Sequence, residues 1–255
     1  MRLYLSERLS LSLVTLSIIL SAPTISLSQP AQVSKLIPRG VRWERIYTKQ
    51  GITIMRAERA DSDLPLLKGQ GTLNINLYDL MAVVEDAPRH VQWVPRMEVS
   101  EIFERPDSFH LKCYVQFNFP WPASDRDSVL QIEVIRVWAP QHEVWISFQR
   151  AEDPRYPVRS GVVRVPRSRG YTRLRWISPK RTEVMYVIDS DPGGHLPRWL
   201  VRWLSQDLPF KVIKALERQV SGTQGRYNAF LKRWDPRRSP QRDAPLQFTL
   251  PGVRR

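Results

Sequence analysis

From Trp43 onward, apolar and polar positions alternate in short stretches broken by Pro, Gly, Asp and Ser, the pattern of strands joined by tight turns. Three strands are predicted first, at Trp43–Thr48, Ile52–Glu58 and Leu64–Leu73, with Gln50-Gly51 as a hairpin turn. The period then lengthens. Leu77, Leu80, Met81 and Val84 recur at helical spacing, with Asn76 placed to cap the helix and Asp86 near its end. Pro88 opens a second short helical piece carrying Val91 and Trp93. Seven more strands follow: Glu98–Glu104, Phe109–Phe117, Ser128–Trp138, Val144–Gln149, Val162–Val165, Tyr171–Ile177 and Glu183–Ile188. Spacing this close favours an antiparallel meander.

Alternation assigns the faces of two neighbouring strands. Leu111, Cys113, Val115 and Phe117 share one face, and His110, Lys112 and Gln116 the other. On the next strand Arg126 falls in phase with Ser128, Leu130, Ile132 and Val134, opposite Asp127, Gln131 and Glu133. A guanidinium directed to the apolar side is the unusual feature of this pattern. From Leu196 to about Trp234 the three- and four-residue spacing returns in Leu200, Leu204, Leu208, Val212, Leu216 and Val220, predicting an amphipathic helix that covers the sheet. Pro209 is expected to split or kink it.

The chain ends change the picture of where the domain begins and stops. Arg2 and Arg8 precede an apolar run from Leu9 to Leu20, then Ala22-Pro23 and Ser26-Leu27-Ser28, the layout of a secretory signal peptide. The run is shorter than the roughly 20 residues needed to span a bilayer; an uncleaved signal anchor is the alternative. The expected organisation is a signal peptide at 1–28, a linker at 29–41, one domain at 42–234 and a Pro- and Arg-rich flexible tail at 235–255, with the mature chain exported to a periplasm or secreted. A domain of about 200 residues is large enough to bury a core and still enclose a cavity.

Charge narrows the partners. The 39 Lys and Arg against 25 Asp and Glu leave a formal charge of +14, which attracts nucleic acid or anionic membrane. The basic residues are scattered and the aromatic residues form no nucleic-acid motif, so an anionic lipid surface is the better partner and nucleic acid is not expected. The surface proposed for it lies on the C-terminal helix, where Trp199 and Trp203 stand beside Arg198, Arg202, Lys211, Lys214 and Arg218. Chemistry is sparsely represented. His90, His110, His142 and His195 sit singly, without metal-ligand spacing, and each reads as a surface or loop residue. Cys113 is the single cysteine and lies on an inward strand face without an adjacent base. No cofactor, metal or catalytic constellation is expected.

The motifs sharpen the class. Pro120-Trp121-Pro122-Ala123-Ser124-Asp125-Arg126-Asp127 resembles the signature of START (steroidogenic acute regulatory protein-related lipid transfer) domains. Asp191-Pro192-Gly193-Gly194, followed by Leu196, Pro197, Trp199, Leu200 and Val201, resembles their link into the C-terminal helix, and Asp86 and Trp93 are similar to the family's helix-end pair. Trp121 itself reads as packing a tight turn at the sheet edge. The family's Asn after Trp-Leu-Val is replaced here by Arg202.

The resemblance implies an α+β helix-grip fold, a curved antiparallel sheet wrapped around a long C-terminal helix with an internal apolar cavity for one lipid. It implies a monomeric, non-enzymatic carrier or sensor of sterol, hopanoid, phospholipid or fatty acid. Leu111, Cys113, Val115, Phe117, Leu130 and Ile132 would form the sheet wall, and Leu200, Leu204, Leu208 and Val212 the helix wall. It also implies that a buried Arg, matched by Arg126, meets an acid on the preceding strand, but the inward face there carries Cys113 and no carboxylate. Asp107, Glu183, Asp127, a ligand headgroup or water are the candidates for its partner if it is a polar group of the cavity; the alternative is a structural role in which it satisfies loop carbonyls. A cavity enzyme of the cyclase kind and an interaction module with a vestigial cavity are the alternative functions.

Overall fold

Nine strands follow one another across a single sheet in the order β1-β2-β3-β10-β9-β7-β6-β5-β4. The computed structural model describes residues 31–223, apart from 38–39, 108, 138–142, 195 and 197. The strands are β1 (Glu44–Lys49), β2 (Ile52–Arg59), β3 (Ser62–Leu73), β4 (Met97–Glu104), β5 (His110–Phe117) and β6 (Asp125–Val137). They continue as β7 (Glu143–Ala151), β8 (Val162–Arg164), β9 (Arg167–Ser178) and β10 (Arg181–Asp191). Neighbours in the order are antiparallel; β8 lies off this path and pairs with β6 in parallel, a departure from the expected meander. The Gln50-Gly51 hairpin has positive φ at both residues, 50° and 75°, as a two-residue turn between right-twisted strands requires.

The helix α2 (Leu77–Glu85) begins where predicted. The Asn76 side chain accepts from the Tyr78 amide at 2.8 Å, and its own amide donates to the Pro179 carbonyl at 2.7 Å. A 3-10 turn over Ala87–Gln92 then leads into β4. The C-terminal helix α3 (Arg198–Ser221) runs unbroken through Pro209, against the expected split. The reason is tertiary. Pro209 is buried on β3 at Gly69, where an added Cβ would come within 2.9 Å of the proline ring. Close packing there offsets the missing backbone hydrogen bond.

Two apolar layers result. On the concave face, Ile54, Val144, Leu174 and Val184 of the sheet pack with Leu77, Leu80 and Met81 of α2 and Ile213 and Leu216 of α3. On the convex face, residues expected to be a linker form α1 (Ala31–Leu36). Val33 and Ile37 are buried there against Ala57, Leu66, Trp145, Tyr171 and Val187. The linker reading missed this because the segment carries so few apolar residues; the convex sheet supplies the surface that makes a short helix worth forming. The signal segment and the tail beyond residue 223 lie outside the described residues.

Much of the basic excess is tied up on this convex face. The buried Asp189 carboxylate is held by Arg59, Arg167 (2.9 Å) and Arg169 (2.8 Å), and Glu183 by Arg173 and Arg175 (2.6 Å). Glu143, also buried, accepts from the Trp145 indole at 2.9 Å and lies 3.4 Å from Arg173; burial raises its pKa above the ordinary range.

Candidate functional site

Between the concave face and α3 lies a cavity of about 310 Å³. Leu111, Val115 and Phe117 of β5 line it, with Ser128, Leu130, Ile132 and Val134 of β6, as the alternation predicts. Leu208 and Val212 of α3 close it from above, joined by Ile213 and Leu216. Cys113 shares the β5 face but does not reach the wall. Cys113 is buried opposite Leu130 in the β5–β6 register, and burial pushes the thiol up to about 12. The side chains of Leu200 and Leu204, and of Trp199, Trp203, Arg198 and Arg202, lie outside the described residues. Lys211 and Lys214 are described, and each has an acid on its own helix: Asp207 at 3.6 Å and Glu217. Their charge is thus partly spent before any surface is met.

Arg126 stands at one end of the cavity, 2% exposed. Among the described residues no carboxylate lies within ion-pair distance of it, although the Asp125 charge acts on it from nearby. Its guanidinium donates to the backbone carbonyls of Ser124, Pro192 (3.3 Å) and Gly193 (3.0 Å) and lies 4.7 Å from the Phe119 ring centre. Burial draws its pKa down, though an arginine stays charged. The three acids offered as partners are engaged elsewhere. Asp107 accepts from the Phe109 and His110 amides, and Glu183 is on the convex face. Asp127 also points outward, to Arg164 at 2.7 Å and the Tyr114 hydroxyl at 3.0 Å. Burial pushes the Asp127 carboxyl up, but Arg164 and Tyr114 outweigh it and the net shift is downward.

The two sequence motifs are therefore two halves of one clasp. Asp191 accepts from the Gly193 amide at 2.9 Å and folds the Pro192-Gly193-Gly194 turn, whose carbonyls Arg126 grips. Both glycines have φ near 65°, and a Cβ on Gly193 would meet Pro166 at 2.8 Å. This turn is the entry to α3, so the clasp fixes where the covering helix starts.

Several wall residues were not anticipated. Phe109, Phe119 and Phe148 extend the apolar surface, and β9 and β10 contribute Ser168, Thr172, Tyr186 and Ser190. Alternation along β10 contains that last group, but only the pairing of β10 with β3 and β9 shows which face is concave. His90 is not a surface residue. It lines the cavity beside Trp93, 5.0 Å between ring centres, contacts the Val84 carbonyl at 2.9 Å, and burial lowers its pKa. Trp121, expected to pack its turn, is 90% exposed. Among the described residues no group of three or more His, Cys, Asp or Glu could hold a metal, and no helix is long and apolar enough to cross a membrane.

Comparison with known proteins agrees with this architecture. Residues 31–223 match the START domain family. The phosphatidylcholine transfer protein of Bos taurus is 27% identical over 179 residues, 69% of this chain and 83% of that protein. The solved STAR-related lipid transfer protein fragment from Xanthomonas axonopodis is 27% identical, with a TM-score of 0.63, covering 70% of this chain and 98% of that one. Human STARD10, 21% identical, shares the fold with a TM-score of 0.67 over 84% of this chain and 86% of that one. With its curved sheet, covering helix and clasped signature motifs, the chain belongs to the START domain family.

Proposed function

We propose that this protein carries one lipid at a time between membrane surfaces outside the cytoplasm, without chemical change to it. The observation that supports the reading best is the cavity itself: a largely apolar void between the sheet and α3, walled by side chains such as Leu111, Phe117, Ile132 and Val212. Each methylene transferred into such a wall gains about 0.8 kcal/mol. Named relatives that transfer lipid support the same reading. Entry requires α3 or a neighbouring loop to move, and an anionic bilayer is the proposed place for this. A chain of formal charge +14 is drawn to such a surface. Trp121, exposed at the tip of the β5–β6 loop near the Arg126 end, and the N-terminal half of α3 would meet the interface first. The N-terminal segment would direct the chain into a periplasm or out of the cell.

The test is transfer of fluorescent lipids between donor and acceptor vesicles by the purified mature chain. Transfer should accelerate when acceptors contain phosphatidylglycerol, and Trp121→Ala should slow it with no change in thermal stability. Absence of transfer for every lipid class would overturn the proposal.

A further inference from the structure

The polar groups of the cavity wall are unevenly placed. β9 and β10 pair with Ser168 opposite Ser190 and Thr172 opposite Tyr186, and all four side chains line the cavity. Gly170 and Ile188 separate the two pairs, so the hydroxyls form a stripe along two strands, from the Arg126 end toward the middle of the void. Gly170 keeps the stripe open: a Cβ there would collide with the Val187 carbonyl and the Phe148 ring. None of the four hydroxyls has a hydrogen-bond partner among the described residues. Tyr186 is enclosed by protein yet retains accessible surface, which is therefore surface to the cavity; burial alone raises its pKa, with no partner contributing. The four hydroxyls open onto the cavity rather than being sealed in the wall, so a ligand inside it is placed to hydrogen-bond with them.

Ionic groups are disposed in the opposite way. The Arg126 guanidinium, the one buried cation of the wall, is consumed by three carbonyls and the Phe119 ring. The buried carboxylates Asp127, Glu143 and Asp189 face the convex side, within arginine clasps. Of the other charged wall residues, Glu85 and Arg96 are engaged in interactions of their own, and Arg105 is exposed in the β4–β5 turn. A phosphate, a carboxylate or a quaternary amine drawn inside would lose its hydration with no counter-charge to meet it.

We infer that the cavity selects an uncharged lipid whose hydroxyl or ester carbonyl is held by the Ser168–Ser190 and Thr172–Tyr186 stripe. This rests on the lipid-carrier reading and specifies its ligand. A sterol-like alcohol and a single-chain glyceride share that chemistry.

The delipidated full-length chain would be offered cholesterol, monooleoylglycerol, dioleoylphosphatidylcholine, dioleoylphosphatidylglycerol, oleate and hexadecane separately, and binding followed by native mass spectrometry and competition with a fluorescent probe. Cholesterol or monooleoylglycerol should bind about tenfold or more tighter than the three charged lipids; which of the two wins identifies the source of the neutral group. Tyr186→Phe should weaken that ligand about five- to tenfold, leave hexadecane binding unchanged and shift the melting temperature little. Equal or tighter binding of a phospholipid or oleate would overturn the inference, as would a Tyr186→Phe variant that weakens hexadecane equally. Either result leaves lipid carriage standing. Failure of every probe to bind would overturn both.

Discussion

Replacing Arg126 by Met removes the grip on the turn that starts α3 while keeping an unbranched apolar stem. Three backbone carbonyls, of Ser124, Pro192 and Gly193, then lose their donor in a site where the arginine is 2% exposed. An orphaned buried acceptor costs about 1–3 kcal/mol, so three cost roughly 3–9 kcal/mol. Against this, the guanidinium's own desolvation penalty, several kcal/mol, disappears. The balance is a net loss of about 3 kcal/mol, or roughly 6–12 °C in melting temperature for a domain of this size. Circular dichroism melts and urea titrations of wild type and Arg126→Met would measure it, with an unchanged m-value showing that the same surface unfolds. Arg126→Lys should fall between the two, because an ammonium cannot fork to three carbonyls. A melting temperature within about 2 °C of wild type, together with a selective loss of lipid binding, would refute the reasoning and make Arg126 a ligand contact instead.

Burial holds His90 below its ordinary value of 6.5, so the unfolded chain takes up the proton first. Its contribution to stability is present above pH 6.5 and is lost as pH falls through the folded pKa, at up to about 1.4 kcal/mol per pH unit. Urea titrations at pH 7.5 and 5.5 should show that loss in wild type and a smaller one in His90→Gln; equal losses would remove His90 from the account. Gly69→Ala drives a Cβ to 2.9 Å from Pro209 and 3.0 Å from Ile213 and should cost about 1–3 kcal/mol by lifting α3, a shift that denaturant midpoints would detect or exclude. Cys113, its thiol pushed up to about 12, should resist Ellman's reagent in the folded protein and react fully in guanidinium; rapid reaction of the native state would mean that the β5 wall opens.

Strand positions, the Asn76 cap and the inward face of β5 and β6 were legible because each rests on local rules: alternation, turn residues and capping chemistry act within a few residues of themselves. The same rules placed Arg126 on the apolar side. They could not name its partners, which lie 66 and 67 residues away in the Pro192-Gly193 turn. That Arg126 satisfies loop carbonyls was one of the two roles open to it, and the structure shows that role; which loop supplies the distant carbonyls leaves no trace in residue identity. Pro209 meets the same limit: its local cost is real, and Gly69 on another strand offsets it.

What this sequence determined by itself is therefore the order of the strands, α2 and the C-terminal helix, the family signature and the phase of β5 and β6, since periodicity and motif are properties of neighbours along the chain. Tertiary structure alone decided that α1 covers the convex face, that the excess arginines clasp Asp127, Asp189 and Glu183 there, and that Arg126 ties together the two motifs. It alone placed the hydroxyls of β9 and β10 side by side in the cavity. Those facts depend on which strands become neighbours, and β3 and β10 pair across more than a hundred residues of intervening chain.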